Sequence, residues 1–94
     1  MYVRVVRFSG VTPERIETLR ARVKEAGGPP PGVKATGLEV LFDEAQGSAV
    51  VLQRFETAAD MREAAAVFEA MDPGETPGTR TSVDGCASVL ELTP

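Results

Sequence analysis

Apolar and polar residues alternate along four short stretches of the chain, whereas two longer stretches carry apolar residues three or four positions apart. Alternation is typical of β-strands, and a spacing of three or four is typical of amphipathic helices. The stretches follow one another in the order β-α-β-β-α-β. This order predicts an α+β fold, with residues 1–94 forming a single domain.

The strands are predicted at residues 2–8, 38–43 and 49–55, with a fourth inside 80–92 that is clearest at 87–92. Only a turn that contains Gly47 separates the second strand from the third, so the two are expected to form an antiparallel hairpin. The loops at 27–37 and 72–79 are rich in proline and glycine. The first is long for a small domain, and such loops are often lids, interface arms or disordered segments.

Both helices have recognisable starts. Thr12 followed by Pro13 predicts the first helix, because threonine caps a helix and proline fits its first turn. Gly27 and the glycine after it predict the end of that helix. Thr57, with Asp60 three positions later, predicts the start of the second helix. The second helix carries an apolar stripe of Met61, Ala64, Ala65, Phe68 and Met71.

Two strand–helix units joined by a hairpin predict the ferredoxin-like sandwich: four antiparallel strands in the order 4-1-3-2, with both helices on one face. Alternation along each strand then assigns its residues to a face. The face toward the helices is expected to carry Val3, Val5, Leu38, Val40, Phe42, Val50, Leu52, Leu90 and Leu92. The other face is expected to carry Tyr2, Arg4, Val6, Phe8, Glu39, Leu41, Asp43, Val51, Gln53, Phe55, Val89 and Glu91.

This second face is still largely apolar, although the helices of the chain leave it uncovered. An apolar sheet surface normally packs against something. A second copy of the same sheet is the simplest partner, so we predict a homodimer in which two sheets face each other.

The charge balance narrows the range of partners. The net charge is −4, from 14 acidic and 10 basic residues, and no run of lysine or arginine is present. Nucleic acids and anionic membranes attract concentrated positive charge, so neither is expected as a partner. No apolar stretch is long enough to span a bilayer, and the first residues do not resemble a signal peptide. Cys86 is the one cysteine, which leaves no internal disulfide and favours the cytoplasm.

The chain contains no histidine, tryptophan or asparagine. The sequence therefore excludes an imidazole base, a histidine ligand for haem and the usual zinc sites. We predict neither a metal site nor a cofactor.

Four polar residues interrupt the second face and are the candidates for ligand binding: Arg4, Glu39, Gln53 and Glu91. In the strand order 4-1-3-2 they are expected to lie in a row as Glu91, Arg4, Gln53 and Glu39. Such a row could orient a ligand in a mostly apolar chamber. It could equally be a set of cross-strand pairs that fixes the register of the sheet. The sequence assigns no catalytic residue.

Three other positions have both a functional and a structural interpretation. Cys86 lacks an imidazole or a neighbouring lysine that would activate it as a nucleophile, so an inert thiol in or near the core is favoured. Tyr2 is expected to pack against its neighbours. Arg80 could bind an anion or could be an ordinary exposed arginine.

The loop with Pro31-Gly32 and Gly37, the hairpin LFDEAQGSAVVLQRF and the following segment FETAADMREAAAVFEAM together resemble the dimeric α/β-barrel superfamily. The resemblance covers most of the chain and is closest to the antibiotic-biosynthesis-monooxygenase-like group. It implies that two sheets close face to face into a barrel, with any ligand between a sheet and its helices or loops. Quinone-forming members use asparagine, tryptophan and arginine, and haem-degrading members use histidine and asparagine. Of these residue types, only arginine is present in this chain.

Two functions therefore compete. The first is a small homodimer that binds a small hydrophobic molecule or a protein partner without catalysis. The second is a cofactor-free monooxygenase that acts on a phenolic or polyketide-like substrate, with Glu39 or Glu91 as the base. A ligand-sensing regulatory domain with the same element order is a third hypothesis. The sequence names neither the ligand nor the pathway.

Overall fold

Within residues 1–70 and 76–94, which the computed structural model describes, the chain forms four strands and two helices. They are β1 (Tyr2–Ser9), α1 (Pro13–Ala26), β2 (Gly37–Asp43), β3 (Ser48–Phe55), α2 (Ala58–Glu69) and β4 (Thr79–Ala87). Neighbouring strands are antiparallel and lie in the order β2-β3-β1-β4. The predicted α+β class and the order 4-1-3-2 are confirmed. Met71 of the predicted helical stripe and positions 72–75 of the predicted loop lie outside the described residues.

The ends of the helices follow from their cap residues. The Thr12 side chain accepts a hydrogen bond from a backbone N–H of the first turn at 3.3 Å, and Pro13 opens α1. The Thr57 hydroxyl accepts a hydrogen bond from the N–H of Asp60 at 3.0 Å. Gly27 ends α1 with a φ of 70°, a conformation that favours glycine. These predicted boundaries are confirmed, and neither helix of the described residues is long and apolar enough to cross a membrane.

The helices cover the face of β1 and β3 opposite to the one predicted. Val6, Phe8 and Phe55 are buried beneath them. Both alternating rows of β1 contain branched apolar residues, so periodicity gives no preference between the rows. The row of β1 that contains Phe8 and the row of β3 that contains Phe55 lie on the covered side, where larger side chains bury more apolar area. The prediction is therefore wrong for four residues that lie on the uncovered face, namely Val3, Val5, Val50 and Leu52.

The prediction for β2 is confirmed, but that for β4 is not. Val40 and Phe42 of β2 pack against the core on the helix side of the sheet. β4 spans Thr79–Ala87 rather than the more apolar segment 87–92. It pairs with β1 from Thr79 to Ala87 with one register shift between Arg7 and Phe8, so the bounds of β4 are set by its partner strand and not by its own hydrophobicity. Beyond its end, the exposed apolar residues are Val89, Leu90 and Leu92.

The buried apolar side chains of the described residues form two clusters, one beneath each helix. The cluster beneath α1 contains Val6, Phe8, Val11, Ile16 and Ala49. The cluster beneath α2 contains Val33, Phe55 and Ala64, with Tyr2, Ala35, Met61, Val67 and Phe68 partly buried around them. Val33 therefore holds the long loop 27–37 against α2. The N–H of Thr36 also donates a hydrogen bond to the carbonyl of Arg54 at 2.7 Å, where the loop joins the sheet.

The uncovered face of the sheet is apolar at its centre and charged at its margins. On one side, Arg7 donates a hydrogen bond to Asp84 at 2.9 Å. On the other side, Arg54 lies 3.6 Å from the carboxylate of Glu39. An apolar uncovered face is thus present, and Leu41 lies on it as predicted, whereas its apolar residues from β1 and β3 are predicted on the other face. Its apolar residues are Val3, Val5, Leu41, Val50 and Leu52.

Candidate functional site

Arg4 is buried between the sheet and α2. It lies on the covered face of β1, and only 4% of its surface is exposed. Its Nη1 donates a hydrogen bond at 3.1 Å to Oε1 of Gln53, which lies directly opposite on β3. Gln53 is also buried. Two of the four predicted site residues therefore meet, on the face that the helices cover.

Glu39 and Glu91 do not join them, so the predicted row of four side chains is wrong. The hairpin register pairs Glu39 with Leu52, which places both on the uncovered face. Glu91 lies beyond the end of β4, and the residue opposite Arg4 on that strand is Gly85. The row failed because it depends on pairing register and on the bounds of β4, which the alternation within a single strand does not determine.

A glutamate and a second arginine complete the site. Arg80 donates hydrogen bonds from Nη1 and Nη2 to the two carboxylate oxygens of Glu69, at 2.9 and 3.2 Å. Nη2 of Arg4 lies 3.7 Å from Oε1 of the same glutamate. Two guanidinium groups therefore share one carboxylate. The sequence pattern does not single out Glu69, because only the packing of α2 beside the start of β4 brings this residue to the two arginines.

The Arg4 guanidinium also faces an aromatic ring. Its Cζ lies 4.9 Å from the centre of the Phe68 ring, which is within the range of a cation–π interaction. Its Nε is buried and has no hydrogen-bond partner among the described residues. Leaving a buried donor without an acceptor costs about 1–3 kcal/mol, so such groups are rare in folded proteins. We call these five residues the Arg4 cluster: Arg4, Gln53, Phe68, Glu69 and Arg80.

The charges of the cluster are unevenly compensated. Burial lowers the pKa of Arg4, the negative charge of Glu69 acts in the opposite direction, and Arg80 lowers the pKa further. The hydrogen bond and the charge of Arg80 lower the pKa of Glu69. Glu69 is thus an ionised partner held chiefly by Arg80, and the positive charge of Arg4 is compensated only in part.

The side of the cluster toward β4 is thinly covered in the part of the chain that the structure describes. Gly85 lies opposite Arg4 and has no side chain. A Cβ at this position would lie 3.1 Å from Cε of Met61, so the flexible end of a methionine lies over the strand here. Val83, on the same face of β4, is 39% exposed. Gly85 and the end of the Met61 side chain therefore form the side of the cluster toward β4.

A concavity lies between α1 and β2, away from the Arg4 cluster. Its volume is about 250 Å³, and its lining residues are Leu19, Arg20, Val23, Lys24, Leu38 and Val40. Ligand sites usually combine apolar walls with a few buried polar groups. The polar side chains of this groove, Arg20 and Lys24, are both exposed. The groove is therefore a weaker candidate than the Arg4 cluster.

The remaining candidate residues do not form a site. Cys86 is exposed because it lies on the uncovered face of an edge strand. The prediction of an inert thiol in or near the core is therefore wrong. Tyr2 packs beside the cluster around Phe55, as predicted. Among the described residues, no group of three or more acidic or cysteine side chains is placed to hold a metal ion.

No protein-family model matches the chain, and no curated protein matches it. Among solved structures, the chain is similar to Rv0793 from Mycobacterium tuberculosis. The two share 15% sequence identity with a TM-score of 0.49, and the alignment covers 99% of this chain and 100% of that one. A likeness at this level carries no argument about function.

Proposed function

We propose that the protein is a small homodimer that binds a small hydrophobic molecule between its sheet and α2, beside the Arg4 cluster. The observation that carries this proposal is the buried guanidinium of Arg4, whose Nε has no acceptor within the described residues. A buried charge destabilises a protein unless it is fully paired. Perturbed and incompletely paired charges are concentrated at functional sites.

Apolar side chains around the cluster would contact the body of the ligand. Phe55 and Ala64 are fully buried here, with Met61 and Phe68 partly buried beside them. Methionine is flexible and polarisable, so it adapts to ligands of different shape. The resemblance to the dimeric α/β-barrel superfamily supports the same location, because ligands in that superfamily lie between a sheet and its helices or loops.

The uncovered face of the sheet supports the homodimer. Its apolar centre is flanked by Arg7 with Asp84 on one side and by Arg54 with Glu39 on the other. Because both margins carry both signs of charge, a two-fold axis can bring opposite charges together across the interface. The same arrangement would give the face-to-face barrel that the resemblance implies.

The single cysteine favours a reducing cytoplasm as the compartment.

A cofactor-free monooxygenase has less support. That reaction needs a base beside the substrate. Glu39 lies on the uncovered face and Glu91 lies beyond β4, so neither faces Arg4. Glu69 does lie beside Arg4, but Arg80 lowers its pKa, which makes it a weaker base. We therefore favour binding without catalysis.

Titration with N-phenyl-1-naphthylamine, a neutral dye that fluoresces in apolar surroundings, tests the binding site. We expect saturable binding, with the largest amide shifts in nuclear magnetic resonance spectra at Phe55, Ala64 and Phe68. The variant Gly85→Val should weaken binding at least about tenfold, because its side chain enters the space beside Met61.

Gly37→Val is the matched control for this experiment. It also replaces a strand glycine, but the three atoms nearest to a Cβ there belong to the Arg54 side chain and lie at an ordinary 3.6 Å or more. This variant should bind the dye like the unmodified protein. Amide shifts confined to Val23 and Leu38 would instead place the ligand in the groove between α1 and β2, and unchanged binding by Gly85→Val would contradict the proposed site.

A further inference from the structure

The two edges of the Arg4 guanidinium differ in what they bind. An arginine presents Nε–H and one N–H of Nη2 on the same edge, as a fork that fits the two oxygens of a carboxylate. Nη1, on the other side, donates to Gln53 at 3.1 Å. Nε has no partner among the described residues. Nη2 has Glu69 at 3.7 Å, which is longer than a hydrogen bond. Within the described residues, the fork edge of Arg4 is thus open.

Glu69 is poorly placed to close this fork. Both of its carboxylate oxygens accept hydrogen bonds from Arg80, and its side chain is 55% exposed. Its closest approach to the fork is the 3.7 Å between Oε1 and Nη2, and Nε has no partner among the described residues, so Glu69 does not pair side-on with Arg4. Among the described residues, the cluster consequently contains one negative charge and two positive charges, and one further negative charge would balance it. Burial lowers the pKa of Arg4, which agrees with a charge that its surroundings compensate only in part.

We propose that the ligand is a hydrophobic carboxylic acid, and that its carboxylate pairs side-on with Nε and Nη2 of Arg4. This inference rests on the proposed function and names its ligand class. The apolar body of the ligand would lie over Gly85, between Met61 of α2 and the exposed Val83 of β4. Gln53 would keep Nη1 occupied and hold the fork in a fixed orientation.

The charge count favours a carboxylate over a phosphate ester. The cluster has an excess of one positive charge, and the open edge offers two donors at the spacing of carboxylate oxygens. A phosphate dianion carries more charge and more acceptors than this edge can satisfy. A neutral amide or alcohol would leave the charge of Arg4 unbalanced.

Two pairs of probes distinguish the contribution of the carboxylate to binding from that of the apolar body. The first pair is naphthalene-2-carboxylate and naphthalene-2-carboxamide, and the second is decanoate and decanamide. Calorimetric titration should show that each carboxylate binds about 10- to 100-fold more tightly than its amide, as expected for a charge-assisted hydrogen bond. The Nε–H resonance of Arg4 should also shift when a carboxylate binds, and should stay in place with either amide.

The variant Arg4→Lys keeps the positive charge but removes the fork. In this variant, the ratio of the affinity for a carboxylate to that for its amide should fall at least about tenfold, whereas the affinity for the amides should stay the same. Arg7→Lys is the matched control, because Arg7 lies on the same strand but on the uncovered face. This control should leave the affinity of all four probes unchanged.

The outcomes distinguish the two proposals. Equal affinity for a carboxylate and its amide, with an unmoved Nε–H resonance, would overturn the ligand class but leave a hydrophobic binding site. Absence of binding by all four probes would overturn the proposed function and the ligand class together. The resonance of the unmodified protein decides the question even if Arg4→Lys fails to fold.

Discussion

Arg4 is the side chain that is expected to favour ligand binding at a cost in the stability of the free protein. Its charge is buried between the sheet and α2, and its hydrogen-bond partner is the amide of Gln53. The nearby carboxylate of Glu69 is already held by Arg80. Burial lowers the pKa of Arg4, so folding disfavours its protonated form. An arginine at this position is therefore expected to lower the stability of the free protein, and a bound carboxylate would offset that loss.

Replacing both members of the buried pair tests this expectation. Arg4→Met combined with Gln53→Leu removes two polar groups and keeps similar side-chain volume. We expect the free energy of unfolding, measured by urea titration, to stay the same or to rise by about 1–4 kcal/mol, as when buried charges are replaced by apolar residues. The same double variant should bind naphthalene-2-carboxylate no more tightly than naphthalene-2-carboxamide.

The single variant Gln53→Leu is the control for this prediction. It leaves the buried charge of Arg4 without its amide acceptor, so it should lower the free energy of unfolding by about 1–3 kcal/mol. If the double variant were no more stable than this single variant, Arg4 would be an ordinary structural residue, and the main support for its binding role would be lost.

The helices and strands differ in how directly they follow from the sequence. Thr12 and Thr57 cap α1 and α2 through N–H groups only three residues away, so these starts can be recognised from short segments. The bounds of β4 follow from β1, which is far away along the chain, and the apolar pattern at 87–92 is misleading for that reason. The covered face of β1 is also set by packing, because both of its rows are apolar.

The same distinction explains which part of the site is predictable. Alternation places Arg4 and Gln53 on the same face of two strands that the fold makes neighbours, so the sequence brings them together. The face on which Glu39 lies depends on the hairpin register, because a shift of one residue would move its side chain to the opposite face. Glu69 and Arg80 meet only where the end of α2 packs beside the start of β4. Side chains that depend on two separate packing events are the hardest to predict.

The start of β4 requires a glycine. A Cβ at Gly78 would collide with the carbonyl oxygen of Ser9 at the end of β1, and would lie 2.9 Å from the Val11 side chain. Relief by backbone movement would disturb the pairing of Ser9 with Thr79. We therefore expect Gly78→Ala to lower the free energy of unfolding, measured by urea titration, by about 1–3 kcal/mol.

Gly28→Ala is the control for the start of β4. A Cβ at that position meets nothing within 4 Å, so the free energy of unfolding should change by less than about 0.5 kcal/mol. Equal stability of the two alanine variants would contradict the prediction that the close approach of Gly78 to β1 requires a glycine.

The two faces of the sheet separate the two proposed interactions. The covered face carries the Arg4 cluster, and the uncovered face offers an apolar surface to a second copy. Because Arg4 points toward α2 while Val5 and Leu52 point away from it, ligand binding and dimerisation use opposite sides of the same strands. A change on one side is therefore expected to leave the other interaction intact, as long as the sheet itself stays folded.

Leu52→Glu tests this separation. It places a second negative charge opposite Glu39 at the apolar centre of the uncovered face, where like charges repel. Sedimentation equilibrium should show a dimer for the unmodified protein and a monomer for this variant, with unchanged circular dichroism. Val23→Glu, at a 42% exposed apolar residue of α1, is the control and should remain dimeric. Both variants should still bind naphthalene-2-carboxylate. A monomeric unmodified protein would contradict the homodimer, and a monomeric Leu52→Glu that no longer binds would show that the partner subunit is needed to complete the site.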